Sequence, residues 1–150
     1  MVNPRGMLYV LDTHVLIWYF IGSSRLRGEL RELIDETRRQ GGRLLVPTIV
    51  FAEALDVAEK GRVKFDFAEM YRLICEEPEF EVIGFSLESF DEALGVEGVQ
   101  EIHDRIIVAT TRFYRAGLLT KDRIIRESGE VEVLLGVRRL EAGERESSER

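Results

Sequence analysis

The sequence predicts an α/β fold built on a mainly parallel sheet, with helices on both faces. Three observations carry that prediction. Short apolar, β-prone runs recur along the chain. Segments with apolar residues at helical spacing separate them. Acidic residues close the first and fourth of these runs, and the carboxyl ends of parallel strands are where such sheets place their functional crevice.

Met7 to Leu11 is the first buried strand and ends at Asp12. Thr13 to Phe20 follows as a short helix with Asp12 or Thr13 as its cap. Gly22-Ser23-Ser24 breaks it, and Ser24 is placed to cap a second helix carrying Leu26, Leu30, Leu33 and Ile34. Gly41-Gly42 ends that helix. Arg43 to Pro47 is the second strand. Thr48 opens a helix with Val50, Phe51, Leu55 and Val57 as apolar positions and Glu53 in its second turn. Phe65 to Glu77 is a further helix stopped at Pro78, and Phe80 to Phe85 is a third strand. Ser86 or Ser89 caps a helix to about Leu94. Glu101 to Arg115 is the clearest helix, with Ile102, Ile106, Ala109 and Phe113 on one stripe. Leu118 to Thr120 is a very short strand, Asp122 to Ser128 one or two turns, and Val131 to Leu135 a last strand. One domain over residues 1–137 is expected. A frayed or disordered tail, 138–150, is rich in Glu, Arg and Ser and lacks apolar periodicity.

Composition narrows the function classes. The 150 residues include 21 basic and 28 acidic side chains, a net charge of −7. That charge disfavours a passive, non-specific nucleic-acid binder. An enzyme whose acidic cluster is neutralised by divalent metal stays compatible with it. The single cysteine, Cys75, excludes an intrachain disulfide framework and a thiolate zinc cluster. The apolar run from Met7 to Ile21 is interrupted by Asp12, Thr13 and His14, so neither a spanning helix nor a signal peptide is expected, and a cytoplasmic protein is. Lysine occurs only at Lys60, Lys64 and Lys121, and the amides only at Asn3, Gln40 and Gln100. Few amides beside many charges is a thermophilic pattern, and a GC-rich genome also favours arginine.

Four carboxylates are placed to converge. Asp12 ends the first strand, and Asp122 follows the Leu118–Thr120 strand. Asp104 lies in the first turn of its helix and Glu53 near the start of another. Unpaired carboxylates a few ångströms apart raise one another's pKa, so convergence needs a compensating charge. With no thiolate cluster and two histidines, an oxygen-preferring cation such as Mg²⁺ or Mn²⁺ fits best. The competing reading makes Asp12, Asp104 and Asp122 helix caps or first-turn residues and Glu53 a solvated helix charge.

The stretch Val10-Leu11-Asp12-Thr13-His14-Val15-Leu16-Ile17-Trp18 resembles the opening of PIN-domain ribonucleases, especially the VapC toxins of toxin–antitoxin pairs. Ile49 to Glu53 is similar to their second motif, His103 to Thr111 to their third, and Gly117 to Asp122 to their fourth. The order and spacing of the four also fit, from about Leu8 to Leu135. The resemblance implies a PIN fold with a central parallel sheet of four or five strands. It implies an Mg²⁺- or Mn²⁺-dependent endoribonuclease, a homodimer, and a small antitoxin partner. By position, Asp12, Glu53, Asp104 and Asp122 take the catalytic and metal-binding role. Thr13 and Thr120 match small polar residues beside the acids. One departure is that His103 is followed at once by Asp104, where the family often has an intervening Pro.

The remaining candidates read mainly as structural. His14 reads as a core residue or as one behind the ligands, and His103 as a helix-end residue with RNA contact as its alternative. Arg105 is expected to support the site, by pairing with a carboxylate or by contacting phosphate through its fork. Trp18, Tyr19 and Phe20 are read as core or dimer surface, and Cys75 as a buried small hydrophobe. The Val15–Tyr19 stretch and the Leu26, Leu30 and Leu33 stripe are the expected source of a dimer surface. Two other functions compete with the nuclease. One is a non-catalytic PIN-like binding or assembly module, which need not keep mutually repelling acids. The other is a phosphoryl-transfer protein with a strand-end Asp. The haloacid-dehalogenase kind needs an acid where His14 stands, and the receiver kind needs a Lys after, not before, Asp122.

Overall fold

The computed structural model describes residues 7–26, 28–130 and the backbone of 133–134. Its elements run β1 (Leu8–Leu11), α1 (Thr13–Ile21), α2 (Gly28–Arg39), β2 (Arg43–Pro47), α3 (Thr48–Glu59), α4 (Phe67–Glu76), β3 (Phe80–Ile83), α5 (Leu87–Leu94), α6 (Ile102–Tyr114), β4 (Gly117–Leu119), α7 (Arg123–Ser128) and β5 (Val133–Leu134). The five strands form one sheet in the order β3-β2-β1-β4-β5. Every neighbouring pair is parallel. Val10 of β1 stands opposite Leu45 of β2 on one side and Leu118 of β4 on the other.

That order sets the site. The chain starts in the middle of the sheet, builds outward through β2 and β3, then returns to build β4 and β5 on the other side. The direction reverses between β1 and β4, and a crevice opens at such a switch point beyond the strands' carboxyl ends. Val10, Leu11, Leu44, Val46, Leu118 and Leu119 are all fully buried. Helices cover both faces, which is why these strands read as continuous apolar runs rather than alternating ones.

The helices begin where small polar or acidic groups accept orphan amides. The Asp12 carboxylate accepts from the Val15 amide at 3.0 Å, Asp66 from Glu69 at 3.0 Å, and Ser86 from Ser89 at 3.1 Å. Helix α1 ends at Gly22, whose φ of 67° suits a residue without Cβ. Gly42 has a different reason: a Cβ there would lie 2.6 Å from the Met7 Cβ, because the turn into β2 passes against the start of β1.

Several expectations need correction. Helix α2 starts at Gly28, not after Ser24; Leu26 is buried ahead of it, and residues 22–26 form a loop instead. In α3, Leu55 is 40% exposed while Ala54 is buried, so the core face falls on Val50, Phe51, Ala54 and Val57. Strand β3 stops at Ile83, leaving Phe85 44% exposed. On α6 the stripe shifts. Ile102 and Phe113 are 53% and 40% exposed, whereas the helix buries the consecutive run Ile107 to Thr111. Its middle packs against α5, α3 and the sheet at once, so burial follows a stretch rather than one face. The Thr110 and Thr111 hydroxyls tolerate this by donating to the Ile106 and Ile107 carbonyls, both at 2.8 Å. Cys75 is exposed, because α4 buries Met70 and Ile74 and Cys75 lies off that face.

The expected dimer stretch also changes character. Val15, Leu16, Leu26 and Leu30 belong to the chain's own core. Exposed large apolar side chains lie instead around α5, at Phe85, Leu87, Phe90 and Leu94. Strand β5 falls within the expected 131–135. The expected tail from Arg138 lies outside the described residues. Among the described residues, no helix is long and apolar enough to cross a membrane.

Candidate functional site

Beyond the carboxyl ends of β1 and β4 opens a cleft of about 1090 Å³ whose lining includes Asp12, Glu53, Asp104 and Asp122. The fold thus brings all four predicted acids to one place. Register explains the first pair. Leu11 is matched to Leu119, and the Asp12 amide donates to the Leu119 carbonyl at 3.2 Å. Asp12 and Thr120 therefore leave the sheet side by side.

Thr120 is the joint between the two strand ends. Its hydroxyl donates to Asp12 Oδ2 and accepts from the Asp122 amide at 3.0 Å. It is fully buried, so this bridge sits beneath the cleft floor. Asp122 Oδ1 accepts from the Ile125 amide at 2.9 Å, as the cap of α7. On α1, the buried Thr13 donates its hydroxyl to Glu53 Oε1 at 2.5 Å. That bond fixes the α3 carboxylate against the start of α1. Thr13 and Thr120 thus each hold a neighbouring acid. Asp104, in the first turn of α6, differs: among the described residues its carboxylate has no hydrogen-bond or ion-pair partner.

The electrostatics follow from this crowding. Burial pushes the Asp12 carboxyl up to about 6, against the hydrogen bonds from Thr120 and Val15 and the His14 ring, which favour the charged form. Asp104 is pushed up to about 7, first by burial and then by the negative charges of Asp122, Glu101, Glu53 and Asp12. The charges that act most strongly on Asp104 are therefore all negative. A carboxyl raised by desolvation and by like charges, in a cleft, makes the cleft a candidate functional site. The competing reading places Asp12 and Asp122 as caps and Asp104 in a first turn, as the structure has them, but gives no reason for their sharing one cleft.

Two further cleft residues carry more than the sequence suggested. Glu101 caps α6, accepting from the Asp104 amide at 2.9 Å, and its other oxygen lies 2.7 Å from His103 Nδ1. His103 Nδ1 is also 3.7 Å from Glu53 Oε2. One ligand atom from each of Glu53, Glu101 and His103 falls within 4.8 Å of the others. Hydrogen bonding to Glu101, then the charges of Glu101, Glu53 and Asp104, raise the His103 pKa. On Glu101, burial works upward, but the Asp104 amide and His103 outweigh it and lower the pKa. The available signal was an acid two residues before a His-Asp pair at a helix start. Glu is not a favoured cap, which hid its role.

Other candidates fall elsewhere. Arg105 donates from Nε to the Ala93 carbonyl at 2.9 Å and from Nη2 to the Leu94 carbonyl at 3.5 Å. It closes the end of α5 rather than pairing with a carboxylate, because α6 turns it toward α5 and away from the cleft. His14 is exposed and lines the cleft, with its ring 5.5 Å from that of Trp18.

The donor set suits a hard divalent ion. It is oxygen-rich, and two of its carboxyls are raised by burial and crowding that a bound cation would relieve. Among the described residues, the ligand atoms that already converge are those of Glu53, Glu101 and His103, and Asp12, Asp104 and Asp122 line the same cleft around them.

Comparison with known proteins agrees with this architecture. No curated protein matches the sequence. Among solved structures, the chain is similar to VapBC2 from Rickettsia felis bound to a DNA fragment from its promoter, with a TM-score of 0.67 at 13% identity over 85% of this chain and 97% of that one. It is also similar to a toxin–antitoxin complex from Klebsiella pneumoniae, with a TM-score of 0.60 at 20% identity over 85% and 96%. A third is FitAcB from Neisseria gonorrhoeae, with a TM-score of 0.56 at 16% identity over 85% and 96%. At these identities the likeness is one of fold. The PIN domain family model matches residues 9–131, nearly all of the described chain, and the chain belongs to the PIN domain family.

Proposed function

We propose that this chain is a metal-dependent endoribonuclease that cleaves RNA phosphodiester bonds with Mg²⁺ or Mn²⁺, and that it is the VapC-type toxin of a toxin–antitoxin pair. One observation carries the reading: carboxylates from four separate elements share one cleft, and Asp104 among them is pushed up to about 7 without a cationic partner. Family membership supports it, and so do similar folds in toxin–antitoxin complexes. Under this reading Asp12, Glu53, Asp104 and Asp122 are both the metal-holding and the catalytic residues. The ion, when bound, activates water and stabilises charge building on the phosphate.

The chain's own part is to hold the carboxylates charged and oriented. Thr120 and the Val15 amide keep Asp12 Oδ2 and Oδ1 in place, and Thr13 does the same for Glu53 Oε1. Each such oxygen keeps a lone pair for the cation. Asp104 has no hydrogen-bond partner on its carboxylate among the described residues, so both its oxygens would be available to the ion.

A small antitoxin is the protein partner in this reading. A homodimer would use the α5 face with Leu87 and Leu94 rather than the buried α1 residues. A cytoplasmic location accords with an RNA substrate.

The test is RNA cleavage in Mg²⁺, in Mn²⁺ and in chelator, with Asp12→Asn, Glu53→Gln, Asp104→Asn and Asp122→Asn beside wild type. Cleavage is expected only with metal and only in wild type. Undiminished cleavage by a folded Asp104→Asn protein contradicts the assignment. A single monomeric species in light scattering contradicts the homodimer.

A further inference from the structure

The cleft holds two sets of charge that do not meet. Beside its carboxylates stand three cations: Arg25 on the loop between α1 and α2, Arg62 on the loop after α3, and Lys121 between Thr120 and Asp122. All three are exposed. Among the described residues, none of them forms an ion pair. Lys121 donates instead to the Arg25 backbone carbonyl at 3.4 Å, which ties those two loops together. Elsewhere Arg38 pairs with Glu77, Arg43 with Glu81, Arg72 with Glu76 and Arg112 with Glu92, whereas Arg31, Arg105, Arg115, Arg123 and Arg126 form no ion pair among the described residues; what sets Arg25, Arg62 and Lys121 apart is that they share the cleft with the acids.

This segregation is informative because pairing was available. A cation beside a crowded acid lowers that acid's pKa and relieves its repulsion. In this cleft His103 meets Glu53 and Glu101, while Arg25, Arg62 and Lys121 form no ion pair with the acids. Clustered acids attract a divalent ion. Unpaired exposed cations in the same cleft attract a polyanion whose backbone reaches that ion. In a chain of net charge −7, a polyanion needs such a local foothold to approach at all.

We propose that Arg25, Arg62 and Lys121 are the positioning residues for single-stranded RNA, holding backbone phosphates beside the one presented to the carboxylates. Arg25 and Lys121, joined through the Arg25 carbonyl, hold the strand at one flank. Arg62, on the loop after the helix that carries Glu53, holds it at another. An arginine fork binds phosphate through two oxygens and Lys121 acts as a point charge. None of the three reads a base, so they fix where the strand lies rather than which sequence it has. The inference rests on the nuclease reading above for the identity of the polyanion.

The test measures binding apart from cleavage. A fluorescently labelled oligouridine is titrated in Mg²⁺ with Asp104→Asn protein, and with the same protein carrying Arg25→Gln, Arg62→Gln and Lys121→Gln singly and together. The observable is affinity against salt. Each lost phosphate contact on a single strand reduces the log–log slope by about 0.7, so the triple variant is expected to lose about 2 units of slope and about 100-fold in affinity near 0.1 M salt. Arg25→Lys and Arg62→Lys keep the charge and are expected to keep the slope. Arg72→Gln, on α4, is expected to change neither. Melting temperatures confirm that the exposed substitutions leave the fold intact.

The outcomes separate the two readings. If wild type cleaves RNA and the triple variant keeps slope and affinity, the positioning role fails and the nuclease stands. If no RNA is cleaved under any metal but the slope falls as expected, the nuclease fails and the phosphate-holding role stands. Absence of RNA binding by the Asp104→Asn protein overturns the positioning role outright.

Discussion

Arg38 on α2 lies between Glu77 at 2.8 Å and Glu79 at 3.2 Å, donates from Nη1 to the Tyr19 hydroxyl oxygen at 3.1 Å, and rests 5.3 Å over the Phe80 ring. Tyr19 in turn donates to Asp35 at 2.5 Å. Asp104 in the cleft is also part-buried, but no cation pairs with it, and the charges that raise its pKa are those of Asp122, Glu101, Glu53 and Asp12. Both regions bury charge where two or three elements meet. Around Arg38, every charge has a partner and the network joins α1, α2 and the approach to β3. Around Asp104, repulsion is left standing. Crowded acids left without a cation in a cleft are the pattern of a candidate binding site.

That contrast predicts opposite results from removing the central charge. The largest effect is on activity. Asp104→Asn is expected to lower RNA cleavage at least about 100-fold, beyond what the loss of an orienting partner alone costs. Arg38→Ala, compared under conditions where both are folded, is expected to leave the rate near wild type. Initial rates on one RNA substrate check both.

The next effect is on stability, and there the signs invert. Arg38→Ala is expected to destabilise the protein by about 1–2 kcal/mol, since it leaves Glu77 and Glu79 facing each other; partial exposure keeps the figure below that of a fully buried pair. Asp104→Asn in chelator at neutral pH is expected to stabilise by about 1 kcal/mol, because the amide removes repulsion and breaks no hydrogen bond. Asp12→Asn is a less clean test. Its amide cannot accept the proton that Thr120 donates to Oδ2. Denaturant unfolding measures all three.

A pH series sharpens the same comparison. Above the ordinary carboxyl value of 3.8, the unfolded chain has released protons that folded Asp12 and Asp104 keep up to about 6 and 7. The folded state binds more protons in that window, so this contribution to stability is full below 3.8 and is lost as pH rises toward 7. Lowered acids such as Glu101 act in the opposite sense. The observable is therefore the difference between wild type and Asp104→Asn, which is expected to grow from near zero at acid pH to its full value near neutrality. A difference independent of pH contradicts the raised Asp104.

The smallest expected effect comes from the orienting hydroxyls. Thr13→Val frees Glu53 Oε1 and is expected to cost about 1 kcal/mol of stability or less, while weakening metal affinity about 10-fold. A Mn²⁺ titration followed by calorimetry checks it. Unchanged affinity means that Thr13 does not orient Glu53 for the ion.

Much of this site was legible in the chain because parallel sheets constrain it strongly. Asp12 and Asp122 could be placed together once Leu8–Leu11 and Leu118–Leu119 were read as strands, since neighbouring parallel strands end on the same rim. Glu53 and Asp104 followed from their places near helix starts. What stayed hidden depended on packing between distant elements. Leu26 looks helical by spacing, yet it is buried from the loop that carries Arg25 into the cleft. The α6 stripe misled because three neighbours surround the helix middle, and no periodicity records that. Arg105 follows Asp104 in sequence, but one residue of helix turns it toward α5. The Glu101–His103 bond depends on an unusual cap, and the neutralised network around Arg38 joins residues about 20 and 40 positions apart that no local pattern connects.

In the proposed function, four carboxylates form one divalent-ion site. Thermal melts of wild type and Asp104→Asn, each in chelator and in saturating Mn²⁺ near neutral pH, test it most directly. In chelator the variant is expected to melt higher. Mn²⁺ is expected to raise wild type by about 2.7 kcal/mol at a hundredfold excess over its dissociation constant, and to raise the variant by much less, narrowing or reversing their order. Equal shifts in the two proteins, or no shift in either, contradict a shared metal site at Asp12, Glu53, Asp104 and Asp122.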